Sequence, residues 1–302
     1  MIAPPAPAPV ARPATVVVAH GRPPRSQWEL AWRQFRRHRL ALLGGSVFLL
    51  LCLAAAFASA SPYDPNRTSL LNRFDPPSLT HPMGADDLGR DELTRVLIGG
   101  RMSLTVGVLA MLISVSMGTL IGACAGYFGG PLDSVLMRVT ELFLAFPQLF
   151  ILILLAALFG TSFWTIVLVV GLLRWMPVAR LVRAAFLQLK EREYVTAARA
   201  LGVSTRALMW RHILPNALSP IIVAATLGVA GAILTESTLS FLGLGIQLPT
   251  ATWGNMLRAA QSQMTTAPWL AFFPGLCIFL TILSINYVGD GLRDALDPRK
   301  AP

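Results

Sequence analysis

Six apolar stretches, almost free of charge, divide this chain: about Leu40–Ala60, Met102–Tyr127, Val135–Phe159, Phe163–Pro177, Ser219–Leu239 and Trp269–Val288. A helix needs about 20 apolar residues to cross the hydrocarbon of a bilayer, and most of these runs approach that length. The fourth is short unless it continues into the helical stretch that follows it. A soluble core of 302 residues would rarely need so many such runs. Only 13% of the residues are charged, about half the share usual in a soluble domain. The pattern predicts an all-α integral membrane protein with six transmembrane helices.

The formal charge of +10 does not indicate a nucleic acid partner, because the basic residues lie in blocks between the apolar runs. Such blocks fix orientation in the lipid bilayer. With the N-terminus inside, 19 Lys and Arg residues fall on the cytoplasmic side and six outside, namely Arg67, Arg73, Arg90, Arg95, Arg101 and Arg258. Both termini are therefore expected in the cytoplasm.

Residues 1–27 are rich in Pro and Ala and read as a disordered tail. Residues 28–98 hold the amphipathic stretch WELAWRQFRRHR, the first span and an external loop. Ala58-Ser59-Ala60 could end a cleaved signal peptide, but the apolar run is about 20 residues long and its preceding region far exceeds an ordinary n-region. An uncleaved anchor is expected. Residues 99–290 would form a core of five spans, and 291–302 a cytoplasmic tail.

Between the fourth and fifth runs lies EREYVTAARALGVSTRALMWRHILPNALSP, Glu191 to Pro220. QLKEREYVTAARA is a good helix, Gly202 suits a helix C-terminus, and Ser204 can cap the next helix. Ala197, Ala198 and Ala200 would let a neighbouring surface approach closely. A passive connection needs no two helices joined by a tight turn. A projection for a soluble partner is the better reading.

Other chemistry is thinly represented. A P-loop needs Gly-Lys-Ser/Thr, yet Lys190 follows Leu189 and Lys300 follows Arg299. The four histidines are scattered without paired ligand spacing, so no metal site is expected. ADDLGRDE lacks the alternating ligands of an EF-hand, and Asp86 or Asp87 is expected to cap a helix instead. Cys52, Cys124 and Cys277 are separated and lie in apolar runs, where they pack as small hydrophobes. Glu141 and Glu236 are candidates for a translocation path, because an ionisable residue within a span is expensive. A packing role for either is the alternative. Arg174 is read as interfacial, its guanidinium snorkelling from the end of the fourth span.

The segment around Gly202 resembles the EAA loop of bacterial ABC importer permeases, E-A-A, three residues, G, nine residues, I-x-L-P. Thr196-Ala197-Ala198 precedes Gly202 at that spacing and Leu214-Pro215 closes it. Thr196 stands in place of the acid and His212 in place of the isoleucine. WRQFRRHRLALLG, SPYDPN, HPMGADDLGRDELTRVLIGGRMSLTVG, AGYFGGPLDSVLMRVTELFLAFP, SLSFLGLGIQLPTATWGNML and NYVGDGLRDALDPR continue the likeness in order, over about residues 28–299. They resemble the dipeptide/oligopeptide (DppC/OppC-like) permeases, a type I binding-protein-dependent subfamily.

This resemblance implies the type I permease fold, with a cytoplasmic coupling loop at about 188–217, in the cytoplasmic membrane of a bacterium. It implies a companion permease subunit, two cytoplasmic ABC ATPases and an extracytoplasmic peptide-binding protein. ATP and Mg would be used by the ATPases, and no cofactor would be bound here. Docking of an ATPase would fall to Glu193, Tyr194, Thr196, Ala197, Ala198, Arg199, Leu201, Gly202, Leu214 and Pro215. Di- or oligopeptides are the expected solutes. A permease of the same fold for nickel or another small solute is the alternative, and an ion-coupled secondary transporter a more distant one, since no inverted repeat is evident.

Overall fold

The computed structural model describes residues 27–297. Most of the expected disordered tail and the last five residues lie outside that range. Every regular element among the described residues is helical. Helix α1 (Gln27–Phe35) leads into α2 (Arg39–Ala56), and after an irregular insert come α3 (Glu92–Phe128), α4 (Gly130–Ala145), α5 (Gln148–Phe159), α6 (Phe163–Leu172) and α7 (Trp175–Leu189). The short α8 (Glu193–Ala200) and α9 (Thr205–Ala207) precede a π-helical turn, Leu208–Ile213. Helices α10 (Leu214–Phe241), α11 (Trp253–Ala260) and α12 (Trp269–Leu296) complete the order.

Five continuous stretches are long and apolar enough to span a bilayer: Arg39–Ala60, Glu92–Phe128, Phe163–Leu189, Thr205–Phe241 and Trp269–Leu296. The sixth expected span is not straight. Its halves, α4 and α5, meet at 87°. Pro147 explains the break, because its ring drives the preceding residue out of the helical region, and Phe146 is extended at φ −86° and ψ 140°. The fourth run does continue, through a break at Leu173-Arg174, into α7.

Helix α3 is the spine. Gly118, Gly122 and Gly126 lie four residues apart on one face of it, and α7 presses directly on that stripe. A Cβ at Gly122 would stand 2.4 Å from the Ala179 carbonyl oxygen, and one at Gly126 2.7 Å from that of Arg183. Small residues allow this backbone approach, which gives apolar helices packing that the surrounding lipid cannot. On another face Gly107 meets Ile233 of α10. Helix α2 packs on α12 through Gly44, against Ser284 and Tyr287, while Gly291 of α12 receives Phe35 from α1. The outside stays apolar: Leu50, Leu112, Leu142, Phe150, Leu158 and Phe279 are exposed. An exterior of that kind belongs against lipid tails.

Residues 61–91 and α11 sit at one end of the bundle, and α8 at the other. At the insert end the helix cap differs from the sequence reading. Asp91 caps α3, accepting from the Thr94 backbone N–H at 2.8 Å and its hydroxyl at 2.6 Å. Asp86 instead closes a turn, accepting from the Leu88 and Arg90 backbone N–H groups and from Arg90 Nε at 2.6 Å. Asp87 is only a distant partner of Arg90, at 3.5 Å.

Candidate functional site

The end opposite the insert is built by α8 and the turn after it. Gly202 takes φ +80°, a conformation open to glycine and strained for residues with a Cβ. Its N–H donates to Arg199 O at 3.0 Å, and the Val203 N–H donates to Ala198 O at 3.1 Å. Those two bonds make a complete Schellman motif, so the last carbonyls of α8 are satisfied within the turn itself. Ser204 then caps α9, its Oγ accepting from the Ala207 N–H at 3.4 Å. The second helix of the loop is not a separate body, as the sequence suggested. It runs through the π-helical turn straight into α10 as one stretch, Thr205–Phe241. Pro215 has no N–H to return to the ladder, and the faulted turn lies immediately before it.

The faces of α8 are divided cleanly. Val195 and Ala198 are buried in a cluster with Val182 and Phe186 of α7 and with Leu208, Met209 and Ile213. Glu193, Tyr194, Thr196, Ala197, Arg199 and Gly202 point outward, and Leu201 is 85% exposed. Ala198 therefore differs from the expected docking surface: its small side chain lets α8 seat on its own chain, and only Ala197 offers a small outward face. Leu214 is half-buried and Pro215 exposed at the start of α10. The Tyr194 hydroxyl donates to His212 O at 3.5 Å, and Asn216 Nδ2 donates to the same carbonyl at 2.7 Å. Partial burial holds the Tyr194 phenol above its ordinary pKa, against the opposing charge of Arg192, so it remains a donor at neutral pH. The loop is thus a stiff, capped knob tied to two spans.

The two carboxylates expected in a pathway are not brought together. Glu236 is fully buried. It accepts from Ser240 Oγ at 2.7 Å, Ser103 Oγ at 3.0 Å and Ser237 Oγ at 3.5 Å. Ser103 in turn accepts from the Trp253 backbone N–H at 3.3 Å. Glu236 thereby fastens α3, α10 and α11 together. Glu141 is exposed on α4, 3.7 Å from Arg138.

Arg174 departs from the interfacial reading. It stands at the break between α6 and α7, well inside the span, and its Nη1 donates to Thr235 Oγ1 of α10 at 3.3 Å. The signal was present in the sequence, since Arg174 is the one charged residue in the run Phe163–Pro177. Pro177 made that position look like the end of a span.

Residues 118–302 match the family described as binding-protein-dependent transport system inner membrane component, and residues 26–77 match the N-terminal TM domain of oligopeptide transport permease C. This chain belongs to that transport family. Its fold is that of the type I ABC importer permeases, and it is a multi-pass membrane protein serving as a transport subunit. The oligopeptide transport system permease protein OppC of Bacillus subtilis is 42% identical over 275 residues, 91% of this chain and 90% of that one. The glutathione transport system permease protein GsiD of Pectobacterium atrosepticum is 40% identical, covering 95% and 96%. The dipeptide transport system permease protein DppC of Alkalihalophilus pseudofirmus is 40% identical, covering 91% and 90%. Among solved structures, an amino acid ABC transporter with histidines superposes with a TM-score of 0.51 at 21% identity, over 66% of this chain and 92% of its own. That likeness bears on the permease fold alone.

Proposed function

We propose that this chain is one permease subunit of an ATP-driven importer of di- and oligopeptides in a bacterial cytoplasmic membrane. One observation carries the reading: the chain aligns almost end to end with relatives named for oligopeptide, dipeptide and glutathione transport. A companion permease subunit completes the pathway, two cytoplasmic ABC ATPases supply the energy, and an extracytoplasmic peptide-binding protein delivers the solute. ATP and Mg belong to the ATPases.

The loop gives this arrangement a physical route. The outward face of α8, with Ala197, Arg199, Leu201 and Gly202, docks in a groove of an ATPase. Closure of the ATPases pushes the knob, and because α7 and α10 both leave it directly, the push tilts two spans together. Alternating access then follows from rigid elements that have two packings.

The test is reconstitution in proteoliposomes with the companion permease, the ATPases and the binding protein. ATP-dependent accumulation of a labelled dipeptide is expected. Uptake of nickel without peptide would move the reading to the small-solute alternative. Accumulation driven by an ion gradient without ATP would replace it with a secondary transporter.

A further inference from the structure

Arg174 has no role in the docking loop or in the network around Glu236, and its setting is unusual. Along Phe163–Leu189 it lies 11 residues from one end, roughly 16 Å at the helical rise. Along the neighbouring span its partner Thr235 lies six residues from Phe241, roughly 9 Å. The side chain does not turn back to an interface. It reaches sideways across α10, where a Cβ on Gly231 would lie 2.2 Å from Nη2, so the absence of a side chain there is what admits the guanidinium.

The break that presents Arg174 is held from outside the helix. The Gly171 carbonyl accepts from Ser114 Oγ at 2.7 Å, and the Leu173 carbonyl accepts from Gln148 Nε2, the first residue of α5 beyond its bend. Backbone freed at membrane depth is tolerated where side chains satisfy it and where it borders protein or water. The guanidinium itself is underused. Thr235 supplies its described side-chain hydrogen bond, while a guanidinium carries five N–H donors. None of the ion pairs among the described residues includes it. It is half-buried. A fixed cation with spare donors at this depth is incompatible with a face turned to lipid tails, and an intramembrane charge of this kind marks a site for an opposite charge.

We propose that Arg174 docks a carboxylate within the membrane-spanning bundle, supplied by the C-terminal carboxylate of the solute in transit. A planar guanidinium matches a carboxylate with two parallel N–H···O bonds. Thr235 takes one N–H of Nη1 and Nη2 rests over the bare Gly231, which leaves the remaining N–H groups for the carboxylate. This assignment rests on the peptide-import reading and specifies which group of the peptide the pathway grips. The same chemistry could be met by a carboxylate of the companion subunit, and the experiment separates the two.

Uptake is measured in proteoliposomes holding the full importer, using one tripeptide with a free C-terminal carboxylate and the same tripeptide as its C-terminal amide. Wild type, Arg174→Gln and Arg174→Lys are compared, each normalised to the assembled complex recovered. The binding protein is common to all, so its own preference cancels in the ratio of variant to wild type. The acid-to-amide uptake ratio is expected to fall at least tenfold in Arg174→Gln and to lie in between in Arg174→Lys. Equal loss of both peptides, together with reduced recovery of the companion subunit, would assign the carboxylate to that subunit and overturn the solute assignment. An unchanged ratio with intact uptake would overturn it outright while leaving peptide import standing. If wild type imported neither peptide, the import reading would fail and this assignment with it.

Discussion

Ser103 and Glu236, 133 positions apart in the chain, share a 3.0 Å hydrogen bond at the junction of three helices. Glu236 is fully buried and takes further bonds from Ser240 and Ser237. Replacing it by Ala leaves those hydroxyls short of an acceptor and opens a void, at about 2–4 kcal/mol. Thermal unfolding in detergent is expected to show a clear fall for Glu236→Ala. Gln keeps the volume and an acceptor oxygen, so Glu236→Gln should retain most of the midpoint. Equal loss in the two variants would mean that the charge, and not the bonding pattern, holds the junction.

The positive φ of Gly202 sets a second expectation. A Cβ there would meet nothing within 4 Å, so any penalty is conformational, about 1–2 kcal/mol. Gly202→Val is expected to slacken the turn and uncouple ATP hydrolysis from solute uptake, with the protein still inserted in the membrane. Gly202→Asn, a residue that tolerates the left-handed region, should restore much of the coupling. Full uptake by the Val variant would remove the turn from the coupling route.

Ala197 and Ala198 adjoin in sequence, yet the first is exposed and the second buried. Arg at the outward Ala197 adds bulk and a charge that a tight contact must desolvate, a few kcal/mol without a partner. Co-purification of the ATPases with Ala197→Arg is expected to drop at least about tenfold, the equivalent of 1.4 kcal/mol, while the permease itself remains stable. Arg at the inward Ala198 should instead lower the stability of the permease. Unchanged ATPase recovery with Ala197→Arg would leave the outward face without its proposed partner.

Orientation is open to direct labelling. The 19-to-6 basic asymmetry predicts Gly202 on the cytoplasmic side. In a background without native cysteines, a membrane-impermeant thiol reagent applied outside should modify Thr68→Cys and Gln261→Cys and spare Thr205→Cys. Modification of Thr205→Cys from outside would reverse the assignment.

What could be read from the chain without its structure was whatever chemistry is local. The apolar runs gave the spans, because crossing lipid is a demand on consecutive residues. The turn at Gly202 and the cap at Ser204 followed from neighbours within four positions. Properties set by distant partners were hidden. Ala197 and Ala198 look alike until Val182 and Phe186 of α7 bury one of them. Nothing near Glu236 in sequence announced its bond to Ser103, which arrives from α3. The cap of α3 was placed at Asp86 or Asp87 and not Asp91, because four acids crowd that turn and only the three-dimensional path selects among them. Arg174 was misread because Pro177, three residues on, looked like the end of a span, whereas the helix breaks at Leu173-Arg174 and continues as α7.

The run from Thr205 to Phe241, continuous through its π-helical turn, has a consequence in plain trigonometry. Its 37 residues extend about 55 Å at the helical rise. Rocking such a rod by 10° about its midpoint sweeps each tip through about 5 Å, close to one helical turn. A displacement small enough to arise from a shift between two soluble domains at the Gly202 end therefore reappears, reversed in direction and undiminished, beside Phe241 at the far mouth of the bundle.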